Sequence, residues 1–171
     1  MTRVSSRRLV VVRHARAQQA AESDVQRPLH PEGTADARAL GAWLASQRIE
    51  PGVAYVSRAV RTRQTWDALA AGAGWELAPH VDGALYDTDE AGVLELVHVT
   101  PAEVDTVVVV GHNPTVSMLV AGLDDGTGAA SGAVERGSFP TATAAVLELD
   151  GAWSDFVATG ARLEGFHVAR S

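Results

Sequence analysis

Short unbroken apolar runs alternate along this chain with longer alanine-rich stretches. Leu-Val-Val-Val at 9–12 and Thr-Val-Val-Val-Val at 106–110 are dominated by β-branched residues, the pattern of strands buried on both faces. The run at 53–56 reads as a further strand, and 144–149 as another. Between the first two, Ala37, Leu40, Gly41 and Leu44 recur at helical spacing and predict a helix over 35–47. Pro31 suits a first helical turn, whereas His30 before it is a weak cap. Ser57 is placed to cap a helix reaching about residue 71, and 91–99 predicts a shorter helix. Asn113 is placed to cap a helix that opens at Pro114 and turns Val116, Leu119 and Val120 inward. The glycine- and serine-rich stretch 121–140 reads as a long mobile loop, of a length that often forms a lid or binding loop. Residues 153–158 read as an edge strand beside 144–149. Strands alternating with helices make this an α/β chain.

Length and composition narrow that picture. A chain of 171 residues fits one domain spanning 1–171 with a sizeable core. At 46% hydrophobic and 20% charged residues it matches globular proteins and not disordered ones. There is no internal repeat and no low-complexity linker. The formal net charge of −7 argues against a nucleic-acid binder or an anionic-membrane binder, so any anion site must be local. Cysteine is absent, which removes disulfides, thiolate metal sites and cysteine nucleophiles, and suits a reducing compartment. Basic residues precede the first apolar run, but that run is too short for a signal-peptide core. No stretch approaches the roughly 20 apolar residues of a membrane span. The expectation is a soluble, cytoplasmic protein, monomeric by default.

Three strand ends carry chemistry. The first delivers Arg13 and His14, the second leads through Ser57 to Arg61, and the third delivers His112 immediately before a helix. In open α/β sheets ligands bind beyond the carboxyl ends of the strands. Helices starting there aim free N–H groups and positive dipole ends at the same edge. Two histidines could hold zinc, but no HExxH pattern or third ligand shares their spacing, and Arg13 and Arg61 would repel a cation. Guanidinium forks match phosphate instead. A neutral histidine can attack phosphorus to give a covalent intermediate that water hydrolyses, and neighbouring guanidiniums should hold its pKa below the usual value of about 6.5. Either His14 or His112 could serve on these grounds. Arg16 and Arg27 could reach the rim of such a pocket. His30, His80, His98 and His167 have no partners at meaningful spacing, and Asp124–Asp125 reads as a plain turn.

"RHARA" at 13–17 resembles the RHG/RHA signature of the histidine phosphatase superfamily. "SRAVRTRQT" at 57–65 resembles its S-P-x-x-R-A-x-Q-T element, and "VVVVGHNP" at 107–114 its second histidine motif. Small size, "RPLHPEG" at 27–33 and "FPTATAAVLELD" at 139–150 narrow the resemblance to phosphohistidine phosphatases of the SixA type. It implies a three-layer α/β/α fold with a mostly parallel central sheet, like that of phosphoglycerate mutase, and catalysis without cofactor or metal. It makes His14 the nucleophile and Arg13, Arg61 and His112 the phosphate pocket; Arg16, Arg27 and Asn113 are expected beside it as further substrate contacts. Arg58 stands where the family has proline, an extra cation read as solvated. Larger superfamily members place a glutamate, the general acid, just before a mid-chain leucine, but here Ala84 precedes Leu85. Asp82, Asp87 or Asp89 could substitute, though none aligns. An alkoxide leaving group without an acid loses about 10²–10⁴ in rate, whereas an imidazole can leave already protonated. The implied substrate is therefore a phosphohistidine protein. A small phosphate ester, and a non-catalytic module that binds phosphorylated partners, are the alternatives.

Overall fold

The computed structural model describes residues 6–171; the basic lead over 1–5 lies outside the described residues. Six strands form one sheet: β1 (Ser6–Arg13), β2 (Val53–Ser57), β3 (His80–Asp82), β4 (Thr106–Gly111), β5 (Thr143–Asp150) and β6 (Arg162–Val168). Their order is β3-β2-β4-β1-β5-β6. β3, β2, β4 and β1 pair in parallel, and β5 runs antiparallel to both β1 and β6. Among the described residues five α-helices complete the fold: α1 (Pro31–Ser46), α2 (Val60–Ala73), α3 (Glu90–His98), α4 (Thr115–Leu123) and α5 (Ala133–Gly137). No helix among the described residues is long and apolar enough to cross a membrane.

The valine runs are buried because helices cover both faces of the sheet. Val10, Val12, Val108 and Val110 pack with Leu40 and Leu44 of α1 and Trp66 and Leu69 of α2. Leu9, Val11, Val107 and Val109 face the other way, onto Val93 and Val97 of α3 and Leu119 and Leu123 of α4. Side chains alternate across a strand, so a run apolar at every position needs this three-layer arrangement.

The sheet also creates a crevice. β1 feeds α1, which crosses to β2 on one face. β4 feeds α4, which leads to β5 in the opposite direction on the other face. Adjacent strands whose connections diverge leave an opening at their carboxyl ends. That opening lies between β1 and β4.

Several sequence expectations are corrected. α1 begins at Pro31, a turn before the expected start, and His30 does cap it, its Nδ1 accepting from the Glu32 N–H. Ser57 is the last residue of β2, and α2 starts after Ala59 without a side-chain cap. Asn113 does not cap α4; Pro114, after a cis peptide, holds that position. The stretch 121–140 is no open loop. α4 extends to Leu123 and α5 follows, while Asp124 Oδ2 accepts from Ser131 Oγ and the Gly132 N–H. Residues 153–155 form a 3-10 turn, and β6 is the edge strand that pairs with β5.

Candidate active site

Strand register brings the site together. Arg13 of β1 pairs with Gly111 of β4, so the next residue of each strand, His14 and His112, emerges at the same level. Their ring centroids lie 5.4 Å apart. The backbone of His14 is fixed on both sides: its N–H donates to Gly111 O at 3.1 Å, and its carbonyl accepts from the Ala142 N–H at 3.1 Å. Ala142 holds a φ of 53°, a left-handed conformation costly for alanine.

The segment 57–65 forms the third wall. Thr62 Oγ1 donates to the carbonyls of Ser57 and Ala59, locking the strand-to-helix turn. Thr65 Oγ1 accepts from the Ala15 N–H at 3.0 Å and donates to Arg61 O. One hydroxyl therefore ties the residue after His14 to the turn that carries Arg61. Gly33 completes the frame, because a Cβ there would stand 2.1 Å from Arg16 O. Only glycine lets the first turn of α1 lie against the segment that follows His14.

Hydrogen bonding sets both imidazole tautomers. His14 Nδ1 lies 2.8 Å from Ala15 O. A carbonyl can only accept, so Nδ1 carries the proton and Nε2 keeps its lone pair. Burial, more than the nearby guanidiniums, pushes the His14 pKa down to about 3, with His112, Arg61 and Arg13 adding to the effect. His112 Nδ1 lies 3.4 Å from Arg61 Nη2, a donor, so His112 carries its proton on Nε2 and donates to Ser57 Oγ at 2.8 Å. Burial and Arg61 push its pKa down to about 4. Both rings are neutral near pH 7.

The cations are placed differently. Arg61 is buried and reaches His112. Arg13 Nη1 donates to Phe139 O at 3.0 Å, and Asn113 Nδ2 donates to the same carbonyl at 2.9 Å. Asn113 thus supports the wall that holds Arg13. Arg13 Nε, Arg61 Nε and Asn113 Oδ1 are buried without hydrogen-bond partners; folded proteins rarely leave such atoms unpaired, and each belongs to a residue beside His14 or His112. Arg16 turns away to pair with Glu32 on α1. Arg27 reaches the site only through Asp24. Arg58 is not merely solvated, since its guanidinium stacks 4.6 Å over the Tyr86 ring.

Two of the three expected carboxylates are engaged elsewhere. Asp82 Oδ1 accepts from the Ala84 N–H, and Asp89 Oδ1 from the Gly92 N–H at the start of α3. Asp87 lines a groove of about 340 Å³ beside His112, together with Tyr86 and Met118. Among the described residues no group of three or more His, Cys, Asp or Glu could hold a metal ion.

Two residues escaped the sequence reading. Asp24 Oδ2 accepts from Arg61 Nη2 at 3.1 Å and from Tyr86 Oη at 2.6 Å. Tyr86 also sets its ring edge-on to His112, with centroids 5.7 Å apart. Asp24 lies in a polar stretch between β1 and α1, and no spacing rule links it to Arg61. Tyr86 follows the leucine beside which the family's acid stands, and that position was the one available clue.

The chain matches the model of the histidine phosphatase superfamily (branch 1) over residues 9–103. It is 35% identical to the uncharacterized protein Rv1276c of Mycobacterium tuberculosis over 150 residues, covering 86% of this chain and 92% of the relative. Among solved structures it resembles one from Nakamurella multipartitia described as a phosphohistidine phosphatase SixA, with 34% identity, TM-score 0.84 and 96% of each chain covered. It also resembles the protein histidine phosphatase SixA complexed with tungstate, with 25% identity, TM-score 0.76, and 94% of this chain and 96% of that one covered.

Proposed function

This chain belongs to the histidine phosphatase superfamily and is a phosphatase of the SixA type, and from that premise we propose that it hydrolyses phosphohistidine on a phosphorylated protein through a covalent intermediate on His14. The observation that carries the substrate class is the protonation state of the site. It offers a neutral nucleophile and guanidinium donors, while Asp24, the carboxylate in contact with Arg61, is held well below the usual carboxylate range by Tyr86, Arg27 and Arg61. An ionised carboxylate cannot protonate a leaving alkoxide. An imidazole leaving group needs no such acid.

The chemistry follows from geometry. His14 Nε2 attacks phosphorus, Arg13 and Arg61 take up charge on the phosphoryl oxygens, His112 joins them where its Nε2–H turns from Ser57 Oγ to an oxygen of the substrate, and the substrate imidazole departs. Water then attacks the phosphorylated His14 and releases phosphate. Phosphoryl transfer depends chiefly on positioning and on such charge stabilisation. The Ala15 carbonyl holds the nucleophile in the reactive tautomer throughout. Asp87 lines the groove beside His112 together with Asp89 and Glu90; Asp89 is engaged at the start of α3, and a phosphate-ester reading would use Asp87 as proton donor.

The test is dephosphorylation of a phosphohistidine-bearing protein by the wild type and by His14→Ala. The wild type is expected to release phosphate and to trap an acid-labile phosphoenzyme on rapid quench. The variant is expected to lose at least about 10³ in rate. Equal rates from both proteins, or rapid turnover of sugar phosphates abolished by Asp87→Asn, would overturn this reading.

A further inference from the structure

Asp24 places a negative charge beside the arginine that serves the phosphoryl pocket. It lies on a 3-10 turn, Asp24–Gln26, between β1 and α1. Its backbone carbonyl accepts from Arg61 Nη1 at 2.8 Å and its Oδ2 from Arg61 Nη2 at 3.1 Å. Tyr86 Oη donates to Oδ2 at 2.6 Å, and Arg27 Nη1 to Oδ1 at 3.0 Å. The side chain is still 53% exposed. A carboxylate has about four acceptor positions, three are used, and the open one is on Oδ1.

This charge has a cost. A phosphate ester brings a dianion and no cation, so an adjacent carboxylate opposes its binding. An N-phosphorylated imidazole protonated on its second ring nitrogen brings both an N–H donor and a positive charge. We infer that Asp24 is the specificity-determining residue of this site, accepting the N–H of the departing imidazole and so favouring N-phosphorylated imidazoles over phosphate esters. The inference rests on the phosphohistidine reading above. The step balances without an enzyme acid. The His14 Nε2 lone pair forms the new N–P bond, and the substrate P–N bond breaks with its electron pair returning to the ring. The proton on the other nitrogen stays in place against Asp24, and the ring leaves as neutral imidazole.

Phosphoimidazole and p-nitrophenyl phosphate present the same phosphoryl group on a cationic and a non-cationic leaving group. Asp24→Asn is expected to lower kcat/KM for phosphoimidazole about 10–100-fold, the scale of one charge-assisted hydrogen bond, and to raise it for p-nitrophenyl phosphate. A phosphohistidine-bearing protein carries the same ring and is expected to lose the same factor. Retained competitive inhibition by orthovanadate confirms that the phosphoryl pocket survives the substitution. If both substrates fall by one factor and vanadate weakens, Asp24 only orients Arg61 and the inference is overturned. An unchanged substrate ratio overturns it as well. A wild type that cleaves the ester and leaves phosphoimidazole intact overturns the substrate reading itself, and this inference with it.

Discussion

His14 owes its readiness to two atoms on opposite sides of one ring. Nδ1–H is committed to the Ala15 carbonyl, and Nε2 stays basic in form but unprotonated because the ring is buried. That burial has a thermodynamic consequence. An unfolded histidine takes up a proton near pH 6.5, whereas folded His14 does so only near 3. The stability tied to the neutral ring is therefore present above pH 6.5 and is lost as pH falls, at about 1.4 kcal/mol per pH unit. Chemical denaturation of the wild type and His14→Gln at pH 7 and pH 5 checks this. The wild type is expected to lose about 2 kcal/mol more than the variant on acidification, with His112 adding a similar sensitivity to both proteins. At this scale the sequence was partly legible. Histidines and arginines at strand ends stood out, since each follows an unmistakable apolar run. Asp24 did not, because its importance arises from a contact with Arg61, 37 residues away.

At the scale of elements, the pairing of α1 with α2 sets where Arg61 points. The two helices touch backbone to backbone through reciprocal glycines. A Cβ on Gly41 would lie 1.9 Å from Leu69 O, and one on Gly72 would lie 2.0 Å from Arg38 O. Alanine is the better helix former by about 1 kcal/mol, yet the clash is with a carbonyl that cannot rotate away. Gly41→Ala is therefore expected to destabilise the protein by about 1–3 kcal/mol, lowering Tm by about 2–4 °C for each kcal/mol, as read by calorimetry. Element boundaries were less legible than element types. Ser57 and Asn113 are good capping residues by type, but each spends its side chain on the site, Ser57 on His112 and Asn113 on Phe139 O. A local capping rule loses to a tertiary hydrogen bond of similar strength. The small polar stretch 121–140 misled for a related reason: glycine and serine imply freedom, while Asp124 and Asp125 fasten the backbone through their carboxylates.

For the molecule as a whole, β1 and β4 are shared property. Their side chains belong alternately to the layer containing Trp66 and to the layer containing Trp153. Neither layer can be dismantled without exposing strand faces that the other needs buried. Urea unfolding followed by tryptophan fluorescence and by far-ultraviolet circular dichroism is expected to give one coincident midpoint. Two separated transitions would show that the layers come apart independently. The sharing also frames the site: its two histidines follow directly on β4 and β1, the central pair of strands, and a chain of net charge −7 sets Arg13 and Arg61 at that one edge.

The amino-acid sequence determined the α/β class, the two central valine strands, the family resemblance and the residues His14, Arg13, Arg61 and His112 as candidates, because each of these is written in local pattern: burial periodicity, or a short motif at a strand end. Only the tertiary structure decided which nitrogen of each imidazole is free, that Arg16 leaves the site while Asp24 and Tyr86 join it, and that Asp82 and Asp89 are spent as caps. Those outcomes depend on strand register and on contacts between residues distant in the chain, and no local pattern encodes the distance between two side chains that meet only when the sheet is assembled.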